Sequence, residues 1–313
     1  MNAFSHDPVM TREVFEILNL KRGSIYLDCT LGGAGHASIA CEAVGEGGTI
    51  VGLDIDEDAI ESAGNKLSSA ECEVFVVKSS YVELDRVLAE IGIEAVDAIL
   101  FDLGVSSYQL DEPERGFSYR EDAPLDMRMD KSGGITAEKL INSSDERALV
   151  RMISDFGEER WAVRIAKFIV EARAHKPITT TGELIGVIEA AVPKGARQKG
   201  IHPARRTFQA LRIAVNTELD NVSAAIPKAI GALKPGGRLA VISFHSLEDR
   251  IVKELFRKHE YPCTCPPDLP VCACGLEPEV RVLTRKPILP KDDETEANPR
   301  SRSAKLRAVE KIR

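Results

Sequence analysis

Between residues 25 and 104, four short apolar, β-rich runs alternate with stretches of helical pattern, and no other feature constrains the fold as tightly. The runs are Ile25–Asp28, Thr49–Asp54, Glu73–Lys78 and Val96–Asp102, with helical patterns over 35–44, 58–67 and 81–91 between them. Runs this continuously apolar are buried on both faces, and strands separated by helices of about ten residues pair in parallel, because a parallel pair needs a crossover. The pattern predicts a doubly wound α/β half with its ligand cleft at the C-terminal strand ends.

From 108 to 206 the alternation stops. Ser144-Asp-Glu146 reads as a helix start and Gly157 as its end. A second helix spans 158–175, with Trp161, Ile165, Phe168 and Ile169 on one face. Thr180 and Glu183 form a capping-box pattern for a third, which stops before Pro193. The α/β pattern then resumes with a helical stretch from Thr207 interrupted near Pro227, the turn Lys234-Pro-Gly-Gly237, a strand over 238–244 and a helix over 247–259. Segments 280–289 and 304–312 are expected to close the sheet as a hairpin, with the polar stretch 291–303 as a loop between them. The expected architecture is one α/β domain from 1–107 and 207–313, with an all-helical domain, 108–206, inserted for substrate recognition.

No stretch approaches the ~20 apolar residues of a membrane span, and the first residues, MNAFSHDPVM, carry neither a basic leader nor an apolar core, so a cytoplasmic location is expected. Cys29, Cys41 and Cys72 read as reduced, buried thiols. A net charge of −8 means that any nucleic-acid site must be a local patch. Lys194, Arg197, Lys199, Arg205, Arg206 and Arg212, with His202, supply one: from 194 to 212 there is no acid.

Asp28 ends the first run, and Leu31-Gly32-Gly33-Ala34-Gly35-His36 leads directly into a helix, so backbone can approach a ligand there. Asp54 ends the second run, placed to accept hydrogen bonds from a ribose diol. Ser38 breaks the G-x-G-x-x-G spacing of dinucleotide folds, and Asp28 would repel a pyrophosphate. A third acid, Asp102, ends the fourth run. An acid-lined cleft suits a cationic cofactor, S-adenosylmethionine, whose methionine end Asp28 can serve directly or through water.

TLGGAGH at 30–36, LFDLGVSSYQLDEPERGFSYREDAPLDMRMD at 100–130, GEERWAVRIAKFIV at 157–170, HPARRTFQALRIAVN at 202–216, ISFHSLEDRIVK at 242–253 and NPRSRSAKLR near the end run through nearly the whole chain. In that order they resemble the bacterial small-subunit ribosomal RNA cytosine-N4 methyltransferases, the small-subunit methyltransferase H (MraW) family. The resemblance implies a class I, Rossmann-like methyltransferase fold with an inserted helical domain. It also implies S-adenosylmethionine-dependent N4-methylation of a cytidine in the decoding region of the small-subunit RNA, as free RNA or assembled subunit. Cofactor contacts carried over from it fall on Ala34, Gly35, His36, Asp54, Tyr81, Asp102 and Gln109; the family often has Gly at the position of Ala34 and Phe at that of Tyr81.

The cytosine amine is a weak nucleophile because its lone pair is conjugated with the ring, so catalysis must position it in line and accept hydrogen bonds that favour pyramidalisation. Related enzymes place Asp, Asn or Ser before Pro-Pro-aromatic at this strand end, where this chain has Asp102-Leu-Gly-Val-Ser-Ser107. Asp102, expected to be ionised at neutral pH, is a candidate both for catalysis and for cofactor binding. Tyr108, Phe117 and Tyr119 are candidates to stack on the target base or to belong to the core. His245 with Ser246 and Glu248 suits either acid-base work or a helix cap at Ser246. Carbon-5 methylation would need a cysteine beside Asp102, and none is there; DNA amino-methylation and a non-catalytic RNA-binding assembly factor are the other readings. Cys263, Cys265, Cys272 and Cys274 could hold a structural zinc or form a loop of thiols.

Overall fold

The computed structural model describes residues 8–197, 200, 202–266 and 273–313. In chain order its elements are α1 (Thr11–Leu18), β1 (Ile25–Asp28), α2 (Gly35–Val44), β2 (Thr49–Asp54), α3 (Glu57–Leu67), β3 (Glu73–Lys78), α4 (Leu84–Glu90), β4 (Val96–Asp102), α5 (Ser107–Asp111), α6 (Ala137–Ser143), α7 (Glu146–Gly157), α8 (Ala162–His175), α9 (Thr181–Ala191), α10 (Arg205–Asn216), α11 (Glu218–Ala232), β5 (Leu233–Ser243), α12 (Ser246–Glu260), β6 (Val280–Val282), α13 (Asp292–Ala297) and β7 (Lys305–Lys311). They fall into two compact units, one reaching to Gly104 and resuming at Leu219, the other Val105–Glu218. No helix among the described residues is long and apolar enough to cross a membrane.

The first unit carries a seven-stranded sheet in the order β3-β2-β1-β4-β5-β7-β6, parallel from β3 through β5, with β7 antiparallel to both of its neighbours. Successive residues of each strand serve opposite faces, as the pleat requires. Tyr26, Ile50, Leu100 and Ala240 pack with Val14 and Leu18 of α1, Ala37 and Val44 of α2, and Ala63 of α3. Leu27, Val51, Phe101 and Val241 pack with Leu88 of α4, Ile226 of α11 and Phe256 of α12. With helices on both faces, the order reverses at β1, between β2 and β4, and that switch point is where ligands enter such sheets.

The second unit has its own core, in which Leu149 and Ile153, Ile165 and Ile169, and Leu184 and Ile188, each pair one helical turn apart, meet Phe208 and Leu211. Gly157 ends α7 against α10; a Cβ there would lie 2.7 Å from the Arg206 carbonyl oxygen. The third predicted helix appears with its capping box between Thr180 and Glu183.

Several boundaries differ from those read in the sequence. Helix α1 carries no N-cap side chain to announce it, yet it buries Val14 and Leu18. The cap of α7 is Asp145, not Ser144. The break in the long helical stretch falls at Thr217, left-handed at φ 49°, while Pro227 lies inside α11, forfeiting one backbone hydrogen bond in a segment whose apolar face is fully packed. Strand β5 begins before the Lys234–Gly237 turn and absorbs it as a register shift opposite Val96 and Ala98. The 291–303 stretch contains α13, whose first turn holds three acids that favour a helix N-terminus. Cys41 and Cys72 are joined in a disulfide rather than held as separate thiols: the βαβ unit brings their Cα atoms to 5.9 Å although 31 positions separate them. Cys29 is a buried thiol as expected.

Candidate active site

Asp28, Asp54 and Asp102 close β1, β2 and β4, the three strands at the switch point. The connection after β1 stays in contact with both neighbours: the Cys29 amide donates to the Leu100 carbonyl and the Leu31 amide to the Leu53 carbonyl, each at 2.9 Å. The Leu31 side chain lies over Gly52, where a Cβ would come within 2.5 Å of it, so glycine in β2 admits the loop. Gly32 turns through φ 49° and its amide donates to Asp54 Oδ2 at 2.8 Å. Ala34 is also left-handed, at φ 56°, a conformation glycine adopts at less cost, and from Gly35 the chain runs into α2.

Each acid has a distinct set of partners. Asp28 accepts from the Thr30 amide at 3.1 Å and the Tyr26 hydroxyl at 3.2 Å, so it braces the loop from below. Asp54 Oδ2 accepts from the Gly32 amide at 2.8 Å and Oδ1 from the Asp56 amide at 2.9 Å, so backbone donors fix the carboxylate at the end of β2. The Asp102 amide donates to Thr30 Oγ1 at 2.6 Å, while its side-chain Oδ1 is buried and has no hydrogen-bond partner among the described residues. His36 Nε2 lies 2.9 Å from the Val9 carbonyl, which can only accept, so the proton sits on Nε2; Nδ1 faces Asp102 Oδ2 at 3.8 Å. His36 is thus turned into the core, and what it can offer a ligand is its backbone at the start of α2.

Burial raises all three acids. Asp28 is pushed up to about 7, against the opposing hydrogen bonds from Thr30 and Tyr26. Asp54 is pushed up to about 6, against those from Asp56 and Gly32. Asp102 is raised well above the usual carboxylate range by burial, then by the nearby charges of Asp28 and Glu248. Burial therefore works against the ionised Asp102 expected from the sequence in the ligand-free protein, because desolvation disfavours the charged form. The site fits a cationic nucleoside. It sets the Asp54 carboxylate, a backbone turn and the buried Oδ1 of Asp102 at one sheet edge, and three acids there disfavour a pyrophosphate.

Tyr81 begins a 3-10 turn after β3, half-buried and edge-on to Phe101 with ring centroids 5.4 Å apart. Gln109 belongs to the helical unit, where it completes a capping box: Oε1 accepts from the Ser106 amide and Ser106 Oγ accepts from the Gln109 amide. Glu248, grouped with His245 and Ser246 from the sequence, is only 1% exposed; it accepts from the Phe244 amide at 2.8 Å and, with His245, forms the cap of α12. The cap residue is His245, one position before Ser246; the x-x-Glu spacing was the available signal.

In the basic segment Lys194 and Arg205 are exposed, and Arg206 is exposed while donating to the Glu158 carbonyl at 3.1 Å. Arg197 instead donates to the carbonyls of Glu189 and Val192, closing the end of α9. Arg212 makes a bidentate pair with Glu218, both contacts 2.9 Å, and so leaves the patch. Lys199 lies outside the described residues. Of the aromatic candidates, Phe117 is buried in the helical core, Tyr119 is stacked on His202 with centroids 4.7 Å apart, and Tyr108 is half-buried on α5.

A doubly wound sheet extended by the reversed β7, with acids at its switch point, defines a class I methyltransferase dependent on S-adenosylmethionine. Comparison with known proteins narrows the class. The chain matches the model of the MraW methylase family over residues 3–312 and belongs to that family. It is 54% identical over 311 residues to the ribosomal RNA small subunit methyltransferase H of Heliobacterium modesticaldum, covering 99% of each chain. The protein of the same name from Symbiobacterium thermophilum is 52% identical over 99% of this chain and 98% of its own length. That from Clostridioides difficile is 51% identical over 99% of both.

Proposed function

We propose that this enzyme methylates the exocyclic N4 of a cytidine in the decoding region of small-subunit ribosomal RNA, acting in the cytoplasm, with the helical unit recognising the RNA. The observation that carries the catalytic part is the buried, unpartnered Oδ1 of Asp102 at the end of β4; the RNA substrate follows from the full-length relatives. Bound S-adenosylmethionine supplies an electrophilic methyl group on a sulfonium cation. Asp54, fixed by its backbone donors, accepts from the ribose diol. The Gly32–Gly35 turn presents backbone to the ligand. Asp102 Oδ1 accepts a hydrogen bond from the amine, favouring the pyramidal nitrogen that attack requires. The positive charge that leaves sulfur would pass to N4, and Asp102 Oδ1, already the hydrogen-bond acceptor of that amine, takes the N4 proton whose loss restores a neutral base. A paired cytidine must be unstacked to reach this depth.

The test is incubation with methyl-labelled S-adenosylmethionine and, separately, unmethylated small subunits, naked small-subunit RNA and DNA. Label recovered as N4-methylcytidine from subunits or RNA is the expected result. Label only in DNA, or label on carbon 5, refutes the reading.

A further inference from the structure

Between α12 and β6 the chain makes a long excursion whose base is fixed. At the base the Glu279 amide donates to the His259 carbonyl at 3.0 Å, and the Glu279 carboxylate lies 3.4 Å from His259 Nδ1. Among the described residues of 261–279 there is no helix, no strand and no buried side chain; Tyr261 and Leu276 are at least half exposed. A loop this long, none of whose described side chains is buried, gains a fixed conformation from a cross-link. Cysteines supply the atoms for one. The sulfurs of Cys263, Cys265 and Cys274 all lie within 4.8 Å of one another.

Three converging sulfurs are one more than a disulfide joins. Four ligands at the ~2.3 Å of a zinc–thiolate bond stand about 3.8 Å apart along the edges of a tetrahedron, a spacing this cluster accommodates. The Ala273 amide also donates to Cys265 Sγ at 3.3 Å, the kind of contact that stabilises a thiolate over a thiol. Soft thiolates at this spacing suit zinc or iron, and a site that serves only to hold a loop needs the redox-inert one, zinc. We infer that Cys263, Cys265 and Cys274 hold a structural zinc ion that staples the 261–279 excursion. By sequence, Cys272 completes the second Cys-x-Cys pair; it lies outside the described residues, and the three described thiols carry the site. Binding deprotonates each ligating thiol and changes no oxidation state.

The test uses the full-length protein, purified without chelators. Elemental analysis is expected to find about one zinc per chain, and X-ray absorption to find sulfur neighbours at about 2.3 Å. Cobalt added to metal-stripped protein should give the visible absorption of a tetrahedral thiolate site. Cys263→Ser with Cys265→Ser should lower zinc to below about one tenth per chain and open 261–279 to protease, while Cys29→Ser should keep the metal. Wild-type protein that neither contains zinc nor takes it up overturns the inference. So does a serine double variant that still holds a full equivalent, or an iron chromophore in place of zinc. Because the metal readings on wild-type protein need no variant, misfolding of the serine variant leaves the test intact.

Discussion

Raised acids around a cationic ligand must couple cofactor binding to pH. In the ligand-free protein Asp28 titrates near 7 and Asp54 near 6. A sulfonium cation favours both carboxylates in ionised form, so binding below pH 7 releases protons and affinity rises with pH. With a pKa of about 7, Asp28 goes from roughly 9% to 91% ionised between pH 6 and 8, about a tenfold gain; Asp54 contributes about twofold. Together they predict a roughly twentyfold tighter Kd at pH 8 than at pH 6, about 1.8 kcal/mol, and Asp102 acts in the same direction. S-adenosylhomocysteine keeps the α-ammonium but lacks the sulfonium charge, so its affinity should gain less than that of S-adenosylmethionine over the same pH range. Titration calorimetry at each pH, repeated in two buffers of different ionisation enthalpy, reads both affinity and proton release. Asp28→Asn should remove the tenfold part. Identical pH profiles for the two ligands, or affinity that falls as pH rises, would show that these carboxylates do not sense the cofactor's charge.

The same shift bears on stability. Asp28 titrates higher folded than its ordinary 3.8, so its favourable contribution is fully present below about pH 4 and is lost as pH rises to about 7, costing on the order of 4 kcal/mol. Urea unfolding of ligand-free wild type and Asp28→Asn should therefore diverge over that window, the variant gaining; parallel curves would contradict the shift. Asp102→Ala should reduce the single-turnover rate at saturating cofactor by about 100-fold or more, with Asn milder; full restoration by excess cofactor would confine Asp102 to binding. Arg205→Ala with Arg206→Ala should flatten the salt dependence of RNA affinity by roughly 0.7–0.9 log units per lost phosphate contact. Arg197→Ala should instead cost about 1 kcal/mol of stability with an unchanged slope, because its donors close α9; a salt slope altered only by Arg197 would reverse that division.

The parts of the fold that periodicity writes were legible. β1 to β4 are apolar because both faces are covered, and the acids that end them could be placed at one sheet edge before any coordinates. That Asp54 ends β2 beside the glycine turn was legible in the same way. Partnership was not legible. Arg197 and Arg212 look like Arg205 in a sequence, and only packing shows that the first is spent on helix carbonyls and the second on Glu218. Nor could the upward shift of Asp102 be read, since desolvation depends on what surrounds β4 rather than on its neighbours in the chain. The meeting of Cys41 with Cys72, and the break at Thr217 rather than Pro227, are likewise products of tertiary contact that overrode local signals.

Strand β4 waits a long time for its partner. Asp102 pairs in register with Ile242, and the whole helical unit is synthesised between them. At about 5–20 residues per second, the apolar edge of β4 stays unpaired for on the order of ten seconds as the chain emerges, a template for the wrong strand. Collapse of the helical unit, whose contacts are largely local, shortens the span to be closed, and each halving of that span lowers the closure cost by about 0.6 kcal/mol. The insertion is thus a folding checkpoint: substitutions that loosen its core, such as one at Gly157 where α7 meets α10, should lower the yield of soluble enzyme by delaying the sheet, even where the finished protein is nearly as stable.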